Sequence, residues 1–276
     1  NRLEQRVSDQ TAPADRARRG SGLRVLAIEP MQRLASSADE LPRGHFGFAD
    51  GISQPWTQVG GPSTYSAPGD EVPLGDLLLG HPNGLHDAAQ PGALWVNSSF
   101  LVVHKLRQHV AAWRHALDQV GGDRPEAEKQ LMGRTPDGVS PISGKVDNAF
   151  DYHTDAAGTT CPFQSHVRRA NPRTPSRPDL QRVPRIMRRG MSYGPRLADD
   201  AAQDDGQDRG LMFMAYNASI PEQFEVIQSW LAGGNSASAD GIWSGQRDPF
   251  VGVPQPGDPR TIPYRVGKEV RGFRLP

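Results

Sequence analysis

The alternation of hydrophobic and polar positions along the chain predicts both strands and helices. Residues 93–106 are rich in β-branched and aromatic side chains and predict an extended strand with a polar break at residues 97–99. Residues 211–216 form an apolar run of strand length, and residues 23–28 alternate weakly as a further strand. None of these runs approaches the ~18–20 apolar residues of a membrane span, so the chain is predicted to be soluble.

Three segments have the spacing of short amphipathic helices. Apolar residues recur at intervals of three and four between residues 108 and 120, and a glycine pair stops this helix. Residues 125–132 predict a second helix. Residues 221–231 begin with proline and acidic side chains, continue with apolar positions, and end at another glycine pair, which predicts a third helix.

The rest of the chain predicts loops. Residues 1–20 are polar and arginine-rich, which is typical of a poorly ordered lead-in. Residues 135–185 are expected to be mostly loop, and the segment from residue 235 onward is expected to be irregular. The 30 glycines and 25 prolines among 276 residues support many loops. Strands and helices mixed with hairpin-like loops indicate an α+β fold.

Composition limits the partners and the cross-links that are expected. The 31 basic and 31 acidic residues balance, so the charge does not favour nucleic acid or an acidic membrane surface. The single cysteine, Cys161, excludes an intrachain disulfide. The chain length suits one large domain or two small ones. These features do not distinguish a cytoplasmic protein from an exported one.

The first segment with distinctive chemistry is a glycine-rich loop at residues 44–55, which reads GHFGFADGISQP. An isolated Asp-Gly pair is usually an ordinary turn. Here, the glycines around Asp50 allow the loop backbone to approach another group closely. Asp50 is therefore a candidate functional carboxylate.

The second and third segments contribute a histidine and a group of arginines. Residues 161–173 read CPFQSHVRRANPR and contain His166, while residues 186–195 read IMRRGMSYGP. The other seven histidines lie on an amphipathic helix, in loops or at a strand end, where structural or surface roles are expected. Imidazole is the usual axial donor to haem iron in peroxidases, and guanidinium groups pair well with carboxylates.

Together the three segments resemble the dye-decolourising peroxidase family, from about residue 22 to the region of residue 248. The resemblance implies haem b as the cofactor and His166 as the iron ligand. It implies that Asp50 moves the proton of hydrogen peroxide and that Arg188 stabilises the developing negative charge. Arg189 is the alternative to Arg188, and it faces outward or toward a haem propionate.

The resemblance also implies supporting residues. Asp248 is the candidate carboxylate that accepts the second N–H of the iron-binding histidine, with Asp240 and Glu225 as alternatives. Phe213 is expected in the wall of the haem pocket, although a plain core position is the alternative. Arg168, Arg173 and Arg189 are the candidate partners of the haem propionates.

The implied fold is ferredoxin-like, of the dimeric α+β barrel type, with its C-terminal half complete and its N-terminal half truncated. Residues 21–92 correspond to the end of the first half, including the Asp50 loop, and residues 93–276 to the second, haem-binding half. Members that resemble this chain are longer before the loop. Three explanations are open: a cleavage product, a subunit of a split enzyme whose second chain or fragment supplies the first half, or a reduced protein that forms a homo-oligomer.

The implied activity is that of a haem peroxidase. Hydrogen peroxide would oxidise bulky organic donors, such as dyes and phenolics, through a ferryl intermediate, with Asp50 and Arg188 assisting heterolysis. The alternative is a haem-binding or haem-handling protein, or a split-peroxidase subunit without turnover of its own. A structural subunit without haem is a third possibility, which the intact His166 segment argues against.

Overall fold

The structure is a computed structural model, and it describes residues 27–34, 41–84, 92–173, 183–201, 203–234, 246–253, 257 and 261–274. The chain divides into two units, residues 1–31 and 32–276. The predicted lead-in and most of the predicted strand at residues 23–28 lie outside the described residues. A two-residue strand, β1 (Met31–Gln32), stands at the division. The remaining elements belong to the second unit.

An antiparallel sheet forms the centre of this unit. Its strands are β2 (Phe100–Arg107), β3 (Met187–Arg188), β4 (Met191–Tyr193) and β5 (Gly210–Asn217). Strand β5 lies in the middle: Ala215 pairs with Val102 of β2 on one side and with Arg188 of β3 on the other. Further along the same edge, Met191 of β4 pairs with Met212. The prediction of a strand at residues 211–216 is therefore confirmed.

The two short strands β3 and β4 follow one continuous register against β5. Between them, the Arg189 backbone N–H donates to the carbonyl oxygen of Met214 at 2.8 Å. A Cβ atom on Gly190 would lie 2.4 Å from the carbonyl oxygen of Met212, which is closer than real Cβ atoms approach. Glycine at this position therefore allows the edge strand to lie against β5 and holds Arg188 at a defined place on the sheet.

The two faces of the sheet differ because successive side chains alternate in direction. His104 and Phe213 are paired and share the inner face, where their rings lie 6.2 Å apart. The opposite face, here called the outer face, is largely apolar. By register it carries Leu101, Val103, Met187, Met191, Met212, Met214 and Tyr216. Several of these side chains are exposed, including Val103 at 50% and Met191 at 43%.

The α-helices are α1 (Val110–Asp118), α2 (Arg124–Met132), α3 (His166–Ala170) and α4 (Glu225–Leu231). A π-helical turn, Ile220–Phe224, leads into α4, so the predicted third helix is present but changes its winding. Helix α2 ends at Gly133, whose φ of 88° is the left-handed cap conformation that glycine adopts most easily. The predicted first and second helices are confirmed. Among the described residues, no helix is long and apolar enough to cross a membrane.

Short 3₁₀ turns cover several connections: Pro68–Asp70, Leu74–Asp76, Ala93–Trp95, Gly121–Asp123 and His153–Asp155. The prediction of one strand over residues 93–106 was therefore wrong in its first part. The backbone forms a tight turn at Ala93–Trp95, and Asn97 adopts a positive φ of 66° before the strand begins at Phe100. The polar break marks the actual start of the strand.

A C-terminal hairpin corrects the prediction that the segment beyond residue 235 is irregular. Strands β6 (Thr261–Val266) and β7 (Glu269–Arg274) pair with Ile262 opposite Phe273. The alternation of apolar and polar residues is present in the sequence, but proline within β6 and glycine within β7 argue against strands in sequence-based reasoning. Packing against the helices overrides these local preferences.

The main hydrophobic core joins this hairpin to helices α1 and α2. Trp113 and Leu117 of α1, Leu131 of α2, and Ile262 and Phe273 of the hairpin belong to one buried cluster. The rings of Trp113 and Phe273 lie 5.6 Å apart, and Phe273 is fully buried. The hairpin therefore holds the two helices in place.

We expect that Phe273→Ala lowers the free energy of unfolding by about 3–5 kcal/mol, because it removes a buried ring and leaves a cavity between the helices and the hairpin. Val270→Ala, on the same strand, is the matched control: Val270 is 58% exposed, and its truncation should cost less than about 0.5 kcal/mol. Urea unfolding followed by circular dichroism measures both. Equal effects of the two substitutions would show that the hairpin does not contribute to the core.

Candidate active site

A cavity of about 1130 Å³ lies between the inner face of the sheet, the loop at residues 44–53, helix α3 and the segment at residues 246–252. It is larger than the ~300–1,000 Å³ of typical small-molecule pockets. Five of the residues singled out in the sequence border it: Asp50, His166, Arg188, Phe213 and Asp248. Their separation in sequence is large, so the fold brings them together.

His166 is the first residue of helix α3, and its imidazole contacts the carboxylate of Asp248, which lies 82 residues later in the sequence. Its Nδ1 lies 2.6 Å from Oδ2 of Asp248. Because a carboxylate accepts hydrogen bonds, Nδ1 is the donor in this pair, and Nε2 is the nitrogen with the lone pair when the imidazole is neutral. The Phe250 ring packs edge-on against the imidazole at 5.9 Å. The His166 side chain is 30% exposed and borders the cavity.

The carboxylate of Asp248 is fully buried and held by three donors. Its Oδ1 accepts the backbone N–H groups of Phe250 and Val251, each at 2.8 Å, while Oδ2 contacts His166. The Asp248 N–H in turn donates to the carbonyl oxygen of Leu231 at the end of α4. This tight turn fixes the carboxylate, and through it the orientation of the imidazole.

Of the two alternatives to Asp248, only Glu225 lies within the described residues, and it is placed elsewhere. Glu225 is exposed on helix α4 and does not border the cavity, and Asp240 lies outside the described residues. Burial alone lowers the pKa of His166, but the charge of Asp248 and its hydrogen bond more than offset this, so the pKa of His166 is raised above its ordinary value. The charges of Arg188 and Asp50 also act on this imidazole, Arg188 lowering its pKa and Asp50 raising it.

Asp50 lies at the end of a loop whose backbone is held by the surrounding structure. The Asp50 N–H donates to the carbonyl oxygen of Pro42, and the Ala49 N–H donates to that of Pro136, both at 2.8 Å. Gly51, with a φ of 85°, follows and donates its N–H to the Asp50 carboxylate at 2.7 Å. In the part of the chain that the structure describes, this is the carboxylate's one hydrogen bond within 3.5 Å, so its remaining lone pairs are available to a ligand.

Arg188 is tied to the same loop. The side-chain amide of Gln54 accepts from the Arg188 N–H at 3.1 Å and donates to the Arg188 carbonyl at 3.0 Å. The Arg188 guanidinium donates to the carbonyl oxygen of Ser53 at 2.6 Å. These contacts join the edge strand to the loop that carries Asp50. Sequence reasoning missed Gln54 as a positioning residue, although it stands within the GHFGFADGISQP segment.

Arg168 does not border the cavity. It is 1% exposed, pairs with the carboxylate of Asp155 at 2.9 Å, and lies over the ring of Tyr152 at 4.3 Å. These contacts bind the loop before helix α3 to the helix itself. Arg168 therefore has a structural role in this fold.

Arg173 and Arg189 also lie away from the cavity wall. Arg173 stacks on the Phe150 ring at 3.7 Å and donates to carbonyl oxygens of Asn148 and Phe150. Arg189 is exposed, and its guanidinium donates to the carbonyl oxygen of Arg188. The assignment of Arg168, Arg173 and Arg189 to haem propionates thus stays a prediction, and the cavity lining does not support it.

Sequence reasoning missed a further arginine that does border the cavity. Arg134 follows the glycine cap of helix α2 and is only 5% exposed. Burial, followed by the nearby charge of Arg173, lowers the pKa of Arg134 to about 10. No motif in the sequence marks this residue, because its position depends on where the helix ends.

Comparison with known proteins places these features in a family. Residues 87–243 match the family described as Dyp-type peroxidase, C-terminal. The chain is 30% identical to a dye-decolorizing peroxidase of Mycena epipterygia over 84% of this chain and 49% of that protein. It is 28% identical to a deferrochelatase of Yersinia pseudotuberculosis over 72% of this chain and 39% of that protein.

The fold agrees with this similarity. A DyP-type peroxidase from Anabaena superimposes with a TM-score of 0.71 and 26% identity, over 99% of this chain and 60% of that structure. The chain spans about half the length of the curated peroxidases that it matches. The α+β fold is ferredoxin-like, as the family resemblance implied, and the chain belongs to the dye-decolourising peroxidase family.

Proposed function

We propose that this chain binds haem b and activates hydrogen peroxide for the oxidation of organic donors such as dyes and phenolics. The observation that carries the proposal is one cavity bordered by His166 with its buried carboxylate, by Asp50 and by Arg188. These are the donor, base and cation that a peroxidase requires. Family membership supports the reaction class.

The residues that border the cavity fit a haem. His166 would hold the iron through Nε2, since Nδ1 is occupied by Asp248. Phe213 on the sheet and Ile227 on helix α4 supply apolar surface for a flat macrocycle. The buried Asp248 increases the basicity of the imidazole, which favours electron-poor iron. Bound haem would supply the iron centre that takes up the two oxidising equivalents of hydrogen peroxide.

The other two residues have roles that follow from their chemistry. Asp50 takes the proton from one oxygen of hydrogen peroxide and returns it to the other. Its carboxylate can do so because, among the described residues, only the Gly51 N–H donates to it. The Arg188 guanidinium stabilises the negative charge that develops on the departing oxygen, which leaves as water. The hydrogen bonds that Arg188 forms with Gln54 and with the carbonyl oxygen of Ser53 hold it for this role.

A second candidate function is haem handling without peroxidase turnover. The similarity to a deferrochelatase favours it, because that protein's name describes removal of iron from haem. The two functions are separated by their products. A peroxidase oxidises a dye with peroxide and keeps its haem, whereas a deferrochelatase releases iron and leaves free porphyrin.

We further propose that the outer face of the sheet packs against the first half of the family fold, supplied by a second chain or fragment. The face carries exposed Leu101, Val103 and Met191, and soluble proteins rarely leave such apolar surfaces uncovered. A homo-oligomer is the alternative.

We expect that His166→Ala abolishes the absorption spectrum of histidine-ligated haem in protein reconstituted with hemin, because the cavity then lacks its axial donor. His109→Ala is the matched control: His109 borders the same cavity but is exposed at the start of helix α1. Absorption and magnetic circular dichroism spectra report the ligation. An unchanged spectrum in His166→Ala would contradict the assignment.

We expect that Asp50→Asn and Arg188→Leu leave hemin binding intact but slow the reaction with hydrogen peroxide, by about 10²–10⁴-fold for Asp50 and about 10²–10³-fold for Arg188. Stopped-flow absorption measures the rate constant. Asp137→Asn, which alters an exposed acid paired with Arg43, should leave the rate unchanged. Wild-type rates in both Asp50→Asn and Arg188→Leu would exclude the proposed mechanism.

We expect the haem-loaded protein to exceed its 30.1 kDa monomer mass in light scattering after gel filtration, through a co-purifying chain or self-association. Val103→Glu on the outer face should reduce this mass, because a charge there is costly to bury. Val59→Glu, at an 82% exposed position elsewhere, is the control. A stable haem-bound monomer in the wild type would count against the proposed partner.

A further inference from the structure

Two arginine side chains meet at one amide group beside the cavity. The guanidinium groups of Arg134 and Arg173 donate to the same Oδ1 of Asn148, at 2.7 and 3.0 Å. Arg134 also donates to the carbonyl oxygens of Gly138 and Asp147, each at 2.8 Å. Among the described residues, neither guanidinium forms an ion pair with a carboxylate. In this part of the chain, the acceptors of the hydrogen bonds from Arg134 and Arg173 are all carbonyl or amide oxygens, which are neutral.

This arrangement leaves buried positive charge without a direct counter-ion. Arg134 is 95% removed from solvent, since only 5% of its surface is exposed. The nearest acids act elsewhere: Asp147 accepts from Ser143 and Ala149, and Asp70 pairs with Arg185. Buried charges are normally paired, because their desolvation is costly. The lowered pKa of Arg134 agrees with the lack of a partner.

The cavity gives an anion access to this charge. Arg134 borders the cavity, and among the described residues four further arginines do so as well: Arg107, Arg185, Arg188 and Arg247. Among the described residues, two acids border the cavity. Asp50 accepts a hydrogen bond from the Gly51 N–H, and Asp248 contacts His166. A ligand in the cavity that carries a carboxylate would therefore gain a charge-assisted hydrogen bond at Arg134.

We infer that Arg134, supported by Arg173 through Asn148, is a carboxylate-binding site in the cavity wall. The ligand is a propionate of the haem, and this identification rests on the proposed function. The other source with the same chemistry is the carboxylate of an organic donor. Arg134 thus takes the anchoring role that the sequence assigned to Arg168, Arg173 and Arg189.

The test uses metal-free porphyrins, so that iron ligation by His166 does not contribute. Protoporphyrin IX and its dimethyl ester differ only in their carboxylates. We expect the wild-type protein to bind the diacid about 10- to 100-fold more tightly than the diester, as fits a charge-assisted hydrogen bond. Arg134→Gln should remove most of this preference, and Arg134→Lys should keep part of it. Fluorescence titration measures the dissociation constants.

A matched control separates a local contact from general charge. Arg107 also borders the cavity but is exposed at the end of strand β2. Arg107→Gln therefore removes the same charge and should leave the preference for the diacid intact. An equal loss in both variants would overturn the inference, because the preference would then reflect the overall field. Circular dichroism establishes that each variant is folded.

A small carboxylate distinguishes the two sources. If benzoate binding, measured by calorimetry, depends on Arg134 while the diacid has no advantage over the diester, the site serves a substrate carboxylate. If the wild-type protein neither prefers the diacid nor binds benzoate, the inference is wrong, whether or not Arg134→Gln folds. If the protein binds no porphyrin at all, the proposed function is contradicted. The benzoate titration then still tests whether Arg134 binds a carboxylate.

Discussion

The hydrogen bond between His166 and Asp248 is the contact on which the site depends. It joins the start of helix α3 to a turn 82 residues later in the chain. That turn is anchored to the end of helix α4 through the backbone of Asp248. The bond also decides which imidazole nitrogen remains available, and hence which side of the ring can act as a ligand. The same hydrogen bond therefore helps to join helix α3 to the end of helix α4 and sets which nitrogen of His166 is available in the cavity.

The sheet supplies the opposite wall and a second set of constraints. Strand β5 places Phe213 on the inner face, and the edge strand places Arg188 beside the loop of Asp50. The core between helices α1 and α2 and the C-terminal hairpin reaches the cavity, because Trp113 and Ile262 of this core also border it. The Phe250 ring contacts both the Trp113 ring and the His166 imidazole, so the core also supports the site.

Sequence reasoning reached the site more completely than the fold. Asp50, His166, Arg188 and Asp248 were predicted because the local motifs around them resemble the family, and they border one cavity, while their roles stay predictions. The hairpin was missed because proline and glycine in its strands oppose the local strand preference, and only packing against Trp113 and Leu117 overrides it. Arg134 was missed because its importance comes from burial and from Asn148, neither of which leaves a pattern along the chain.

The Gln54 side chain binds the backbone of Arg188 in the way that one strand binds another. Its side-chain amide accepts from the N–H and donates to the C=O of Arg188, as the backbone of a neighbouring strand would. The Gln54 side chain therefore attaches the loop to the sheet edge as though the loop were one more strand, and the hydrogen bond from the Arg188 guanidinium to Ser53 adds to this attachment. These contacts fix the loop that carries Asp50 to the strand that carries Arg188, so the spacing of the two residues is set by the edge of the sheet.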